Sequence, residues 1–113
     1  MSVLDNAKKH FGDKVSGGMK SYYCDEWETE IYYRPINSFA VETKIIELTQ
    51  KGRTVEALVE TLLLKALDKD GNPLFARADK ATFMNQVDPA VITKVVTAIN
   101  ANDVVEYEAV EKN

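Results

Sequence analysis

The stretch from Thr54 to Phe75, TVEALVETLLLKALDKDGNPLF, is an apolar helical run that stops at a turn and then re-enters apolar sequence. Val55, Leu58, Val59, Leu62, Leu63 and Ala66 recur at the i, i+3, i+4, i+7 spacing of one helical face, which specifies a core element and not a catalytic loop. Thr54 is placed to cap this helix. At ~100° per residue, Leu64 projects roughly 160° from the centre of the Val55, Val59, Leu62, Ala66 stripe, with Ala57 beside it. The helix is therefore either surrounded by other elements or carries an apolar back, and an exposed apolar back marks a partner site.

The segment Asp68–Pro73, DKDGNP, reads as a tight turn, because Gly71 can take positive φ, Asn72 is a turn former and Pro73 blocks resumption of the helix. Its resemblance to a calcium loop fails on two essential carboxylates. With Gly71 in the sixth position, the first falls on Ala66 and the twelfth on Arg77, so no metal is expected here. Leu74 and Phe75 should plug into the core.

Upstream, Asn37 or Ser38 caps a helix from Phe39 to about Lys51 that Gly52 ends. Val41, Ile45 and Leu48 lie on one face of it. Phe39 and Ile46 lie on the flank, separated from that face by Glu42 and Thr49, so the apolar stripe is split. The short connection to Thr54 makes the two helices antiparallel or sharply angled neighbours.

Between Met19 and Pro35 the spacing changes to period two, and Tyr22, Tyr23, Cys24 and Thr29–Arg34 read as a hairpin closed at Pro35. Alternation puts Tyr32 and Tyr33 on opposite faces, one toward the helices and one toward solvent or a partner. Tyr33 is the ring expected on the partner side. A lone two-stranded hairpin is marginal in water, so this one must lie on a helix or extend a sheet in a neighbouring subunit. Arg34 is expected to anchor the hairpin to the helices or to acids in the DKDGNP turn.

Downstream, Asp79 is a candidate cap and Phe83 an anchor, and Asp88-Pro89 is a strong helix start. In the closing helix Val91, Ile92, Val95, Val96 and Ile99 form one continuous stripe, with the end expected near Asn100–Asn102. The tail from Asp103 is acidic and expected to fray unless it docks. At the other end Ser2 caps a short helix through Phe11, with Gly12 and then Gly17-Gly18 stopping it. A helix of that length is marginal alone, so the segment is docked or acts as an arm. Residues 1–18 thus form an N-terminal arm, 19–102 a single domain and 103–113 an acidic tail.

The composition narrows the function classes. The 113 residues make one domain by length, and a formal net charge of -4 with a pI near 5.0 lacks the basic footprint of a nucleic-acid binder. No apolar run approaches the ~18 residues of a membrane span, and the N-terminus has the wrong order of charge and apolarity for a signal peptide. Cys24 is the sole cysteine and His10 the sole histidine, so no intramolecular disulfide, multi-cysteine zinc site or histidine-dependent triad can be built. Asp25, Glu26, Glu28 and Glu30 read as charges guarding a solvated hairpin edge and not as a catalytic carboxylate pair. No catalytic, cofactor or metal site is expected.

The order of landmarks from Tyr32 to Asn102 resembles the tail assembly chaperones of long, non-contractile-tailed bacteriophages. The residues that carry the resemblance are Ile31-Tyr32-Tyr33-Arg34-Pro35, the helix Leu62-Leu63-Leu64-Lys65-Ala66-Leu67, the turn from Asp68 to Phe75, and the closing Ala98-Ile99-Asn100. The resemblance implies a non-enzymatic protein of the host bacterial cytoplasm, absent from the mature virion. It implies binding to the tape measure protein, recruitment of the major tail tube protein, and self-association on assembly. It further implies that an A-rich run encoding Glu111-Lys112-Asn113 could support a frameshifted longer product.

The expected fold is α+β and mainly helical, an N-terminal β-hairpin packed on a small bundle of four to five helices. Trp27, Tyr33, Phe39, Ile46 and Leu64 are the candidate partner contacts. A structural virion protein of the neck or tail terminator is the alternative, since it too would associate through a hairpin edge. A nucleic-acid-binding regulator of winged-helix type is disfavoured, because the closing helix through Asn102 carries only Lys94 as a basic residue.

Overall fold

The computed structural model describes residues 2–112, with side chains through residue 101. An N-terminal helix α1 (Val3–Val15) leads into strands β1 (Lys20–Cys24) and β2 (Thr29–Tyr33). Helices α2 (Phe39–Gln50), α3 (Thr54–Lys65), α4 (Lys80–Gln86) and α5 (Pro89–Lys112) follow, with a 3-10 turn at Arg77–Asp79 just before α4. The architecture is a two-stranded antiparallel hairpin against helices, α+β and mainly helical as the sequence requires.

Helix α3 is the hub. It packs on α2, α4 and α5, and Ala57, Val59, Glu60, Thr61, Leu62, Leu63 and Lys65 are all buried along it. Ala57, on the same side as Leu64, is 4% exposed and Leu64 itself is half-buried, so this side of α3 is largely covered by its neighbours. Val55 corrects the expected core stripe. It lies in the first turn, ahead of the core that begins at Ala57 and Val59, and is 61% exposed. Thr54 is also displaced from its expected role: the cap position falls on Arg53, which makes no side-chain capping bond and instead grips Glu56 one turn on at 2.7 Å.

The hairpin lays its inner face on the helices. Cys24, Ile31 and Tyr33 join Leu62, Ala66, Phe83, Val91, Ile92, Val95 and Ile99 in one core cluster. Pairing runs Tyr22 to Ile31 and Cys24 to Thr29, and alternation leaves Ser21, Tyr23 and Glu30 exposed. On the far side of β2 the backbone of Leu67 continues the sheet: the Tyr32 N–H donates to its carbonyl at 3.0 Å and its N–H donates to the Tyr32 carbonyl at 2.8 Å. The marginal hairpin is thus supported inside its own chain, by α5 below and by Leu67, two residues past α3, at its edge.

The DKDGNP turn is tight, as its residues require. Asp68 Oδ1 accepts from the N–H groups of Asp70 and Asn72 at 2.9 and 3.0 Å, and Gly71 has φ +86°. Arg34 reaches this turn, donating from Nη2 at 3.5 Å to the Gly71 carbonyl and not to an acid. Ser38 caps α2, Ser2 caps α1 by accepting from the Asp5 N–H at 3.1 Å, and Asp88 holds the Ala90 N–H at 2.9 Å at the start of α5. Asp79 acts backwards, its carboxylate accepting from the Ala76 N–H at 2.8 Å.

Two boundaries move. Helix α1 runs through Gly12 to Val15, and every residue from Ser2 to Lys14 is exposed. Helix α5 does not end near Asn100–Asn102 but continues to Lys112, since no glycine or proline interrupts Asn100–Lys112 and Val104, Tyr107 and Val110 keep helical spacing.

Candidate interaction surfaces

Charge inside the fold is local and paired. Glu60, 5% exposed on α3, accepts from Arg77 Nη1 at 2.6 and 2.8 Å, with Lys80 at 3.4 Å. Burial pushes its pKa up, but the bonds and charges of Arg77 and Lys80 outweigh that and leave it below the usual 4.5. Lys65, at the other end of the helix, is buried with its Nζ 2.7 Å from Glu42 and 3.3 Å from Asn100 Oδ1. Glu26 in the hairpin turn bonds Lys94 of α5 at 2.9 Å, which lowers the carboxyl pKa and raises that of the lysine. These contacts tie elements together, and sequence periodicity alone did not show that Glu60, Thr61 and Lys65 would be buried. Among the described residues no group of three or more His, Cys, Asp and Glu side chains is arranged to hold a metal ion.

The candidate contact residues separate into four places. Phe39 is 81% exposed and Ile46 44% exposed, seven residues apart and so on the same side of α2. Trp27 is half-buried in the hairpin turn, inside an aromatic cluster with Phe75 and Phe83. Leu64 is half-buried on the hub helix. Tyr33 is a correction: it is 9% exposed and part of the core, because it shares the inward parity of Ile31 while Tyr32 shares the outward parity of Glu30. The structure does not bring the five residues into one patch. It adds Val55, exposed at the start of α3, which the stripe argument had turned inward.

The three rings border an open hollow of about 270 Å³ walled by Trp27, Thr29, Leu74, Phe75, Phe83 and Val87. Trp27 stands edge-to-face on Phe75 at 6.1 Å between centroids, and Phe75 meets Phe83 at 4.7 Å and 81°. Each ring braces the next, so the wall is preformed.

Searches with the sequence match no protein-family model and no curated protein. Among solved structures, the chain is similar to the tail assembly chaperone of bacteriophage HK97, with a TM-score of 0.57 over 86% of this chain and 95% of that one, at 19% identity. The chain has the fold of the HK97 tail assembly chaperone. The likeness to the HK97 chaperone extends over nearly the whole of that protein and so includes the arrangement of hairpin and helices, not one shared supersecondary unit.

Proposed function

We propose that this chain is a non-enzymatic tail assembly chaperone of a long-tailed bacteriophage, which binds the tape measure protein, keeps it soluble and helps recruit tail tube subunits. The fold shared with the HK97 tail assembly chaperone carries this reading. The surface supports it. An acidic domain with net charge -4 keeps itself in solution while Phe39, Ile46 and Val55 leave apolar side chains outside the core. Many copies of such a domain, each covering part of a long apolar helix, would solubilise that helix by avidity even if each contact is weak. The reading includes self-association of copies along the partner, a site of action in the host cytoplasm, and absence from the finished particle.

Quantitative mass spectrometry of purified particles against the infected-cell lysate tests it. A chaperone is abundant in the lysate and depleted from the particles. A neck or tail-terminator subunit would be retained at a fixed copy number per particle, and that result would overturn the reading.

A further inference from the structure

We propose that the aromatic hollow between the hairpin turn and α4 is a docking socket for one large apolar side chain flanked by lysine or arginine on a helical partner segment. At about 270 Å³ the hollow is smaller than the ~300–1,000 Å³ usual for small-molecule sites, and its walls are the rings of Trp27, Phe75 and Phe83 with Leu74, Thr29 and Val87. That is the form of a pocket for a single hot-spot anchor.

Charge selects the flanks. Trp27 and Thr29 line the hollow with Glu28 between them in sequence, and Asp25 begins the same turn, where the Glu28 N–H donates to its carbonyl at 3.2 Å. Asp25 and Glu28 are exposed, and neither is paired with a cation among the described residues. The cations nearby are already engaged: Lys94 with Glu26, and Arg77 and Lys80 with Glu60. Lys94, bonded to Glu26, also feels Asp25, so the negative charge without a described cation partner next to the apolar wall is centred on Glu28, the residue between the lining Trp27 and Thr29. It is complementary to a basic segment and repulsive to an acidic one. Glu28 also has φ +51°, a conformation that glycine adopts at less cost. This inference does not depend on the chaperone reading; if both hold, the socket receives a basic-flanked apolar residue of the tape measure protein.

Trp27 is the only tryptophan, so its emission reports on the socket alone. The test titrates the full chain with a synthetic amphipathic helical peptide carrying one central Phe flanked by Lys, and with the same peptide flanked by Glu. The Lys-flanked peptide should produce a saturable emission shift that weakens as salt rises, and the Glu-flanked peptide none. Asp25→Asn/Glu28→Gly should weaken binding by at least about fivefold while the fold stays intact, since glycine suits the φ at position 28. Equal binding of both peptides, unchanged binding by the double variant, or no saturable shift overturns the socket. An emission shift produced by raising the protein concentration alone would show a second copy as the occupant and overturn it too. Success with the model peptide and failure of the tape measure protein to bind would reject only the chaperone reading.

Discussion

Deleting the Glu42–Lys65 ion pair from its two ends should give very different results. The lysine side chain is 3% exposed and the glutamate 34%, with Nζ and Oε1 2.7 Å apart. Glu42→Ala leaves a buried ammonium whose one remaining described partner is Asn100 Oδ1 at 3.3 Å. Removing one partner of a buried pair costs about 3–5 kcal/mol, and the surviving Asn100 bond with the half-wet carboxylate puts the expected loss near the lower end, about 3 kcal/mol. Lys65→Met keeps the volume, removes the charge that burial penalises and leaves Glu42 free to hydrate, so its cost should stay within about 1 kcal/mol. The double variant should be no less stable than Lys65→Met alone, which gives a coupling of about 3 kcal/mol, the full cost of Glu42→Ala. Urea unfolding followed by Trp27 emission and far-UV circular dichroism measures all three. With a slope of about 1.5 kcal/mol per molar, Glu42→Ala should lower the midpoint by about 2 M. A Glu42→Ala midpoint within about 0.3 M of the parent, or a Lys65→Met loss larger than that of Glu42→Ala, would refute the reasoning.

Other outcomes follow from the same geometry. Leu62→Ala should cost about 2–5 kcal/mol in urea, as a fully buried leucine at the centre of the hub helix, whereas Phe39→Ser and Ile46→Ser should each stay within about 0.5 kcal/mol. Glu60 has a folded pKa below its ordinary 4.5, so its contribution is fully present above that pH and is lost as pH falls through the folded value. The stability difference between the parent and Glu60→Gln should therefore be largest above pH 4.5 and narrow below it, as measured by urea midpoints across an acid series. Gly71→Ala should lose about 1–2 kcal/mol by the same assay, because φ is +86° and a Cβ there would sit 3.3 Å from Arg34 Nη2. Glu28→Gly should instead gain about 0.5–1 kcal/mol by relieving the positive φ.

Elements whose residues interact locally were legible in the sequence. The Ser38 and Asp88 caps, the Gly52 stop and the DKDGNP turn all depend on side chains within a few positions of their backbone partners, and each formed where its residues placed it. The amphipathic stripe of α5 was equally plain, with Val91, Ile92, Val95, Val96 and Ile99 all buried. What depended on distant partners was harder to read. Val55 fits the periodicity of α3, but its burial needed a neighbour at the first turn that the fold does not supply. Lys65 looks like a surface residue until Glu42 and Asn100, 23 and 35 positions away, converge on it. Tyr33 was a misreading of a signal that was present, because the Glu30-Ile31-Tyr32-Tyr33 alternation already set its parity. The aromatic hollow joins the hairpin turn at Trp27 to Phe75 and Phe83, a separation of about fifty residues that no local pattern encodes.

The chaperone reading is tested most directly by co-expressing this chain with the tape measure protein of the same genome and measuring how the latter partitions after centrifugation. The account predicts that the tape measure protein is recovered in the supernatant, bound to this chain, and pellets when expressed alone. Equal partition with and without this chain, at matched expression, would contradict it.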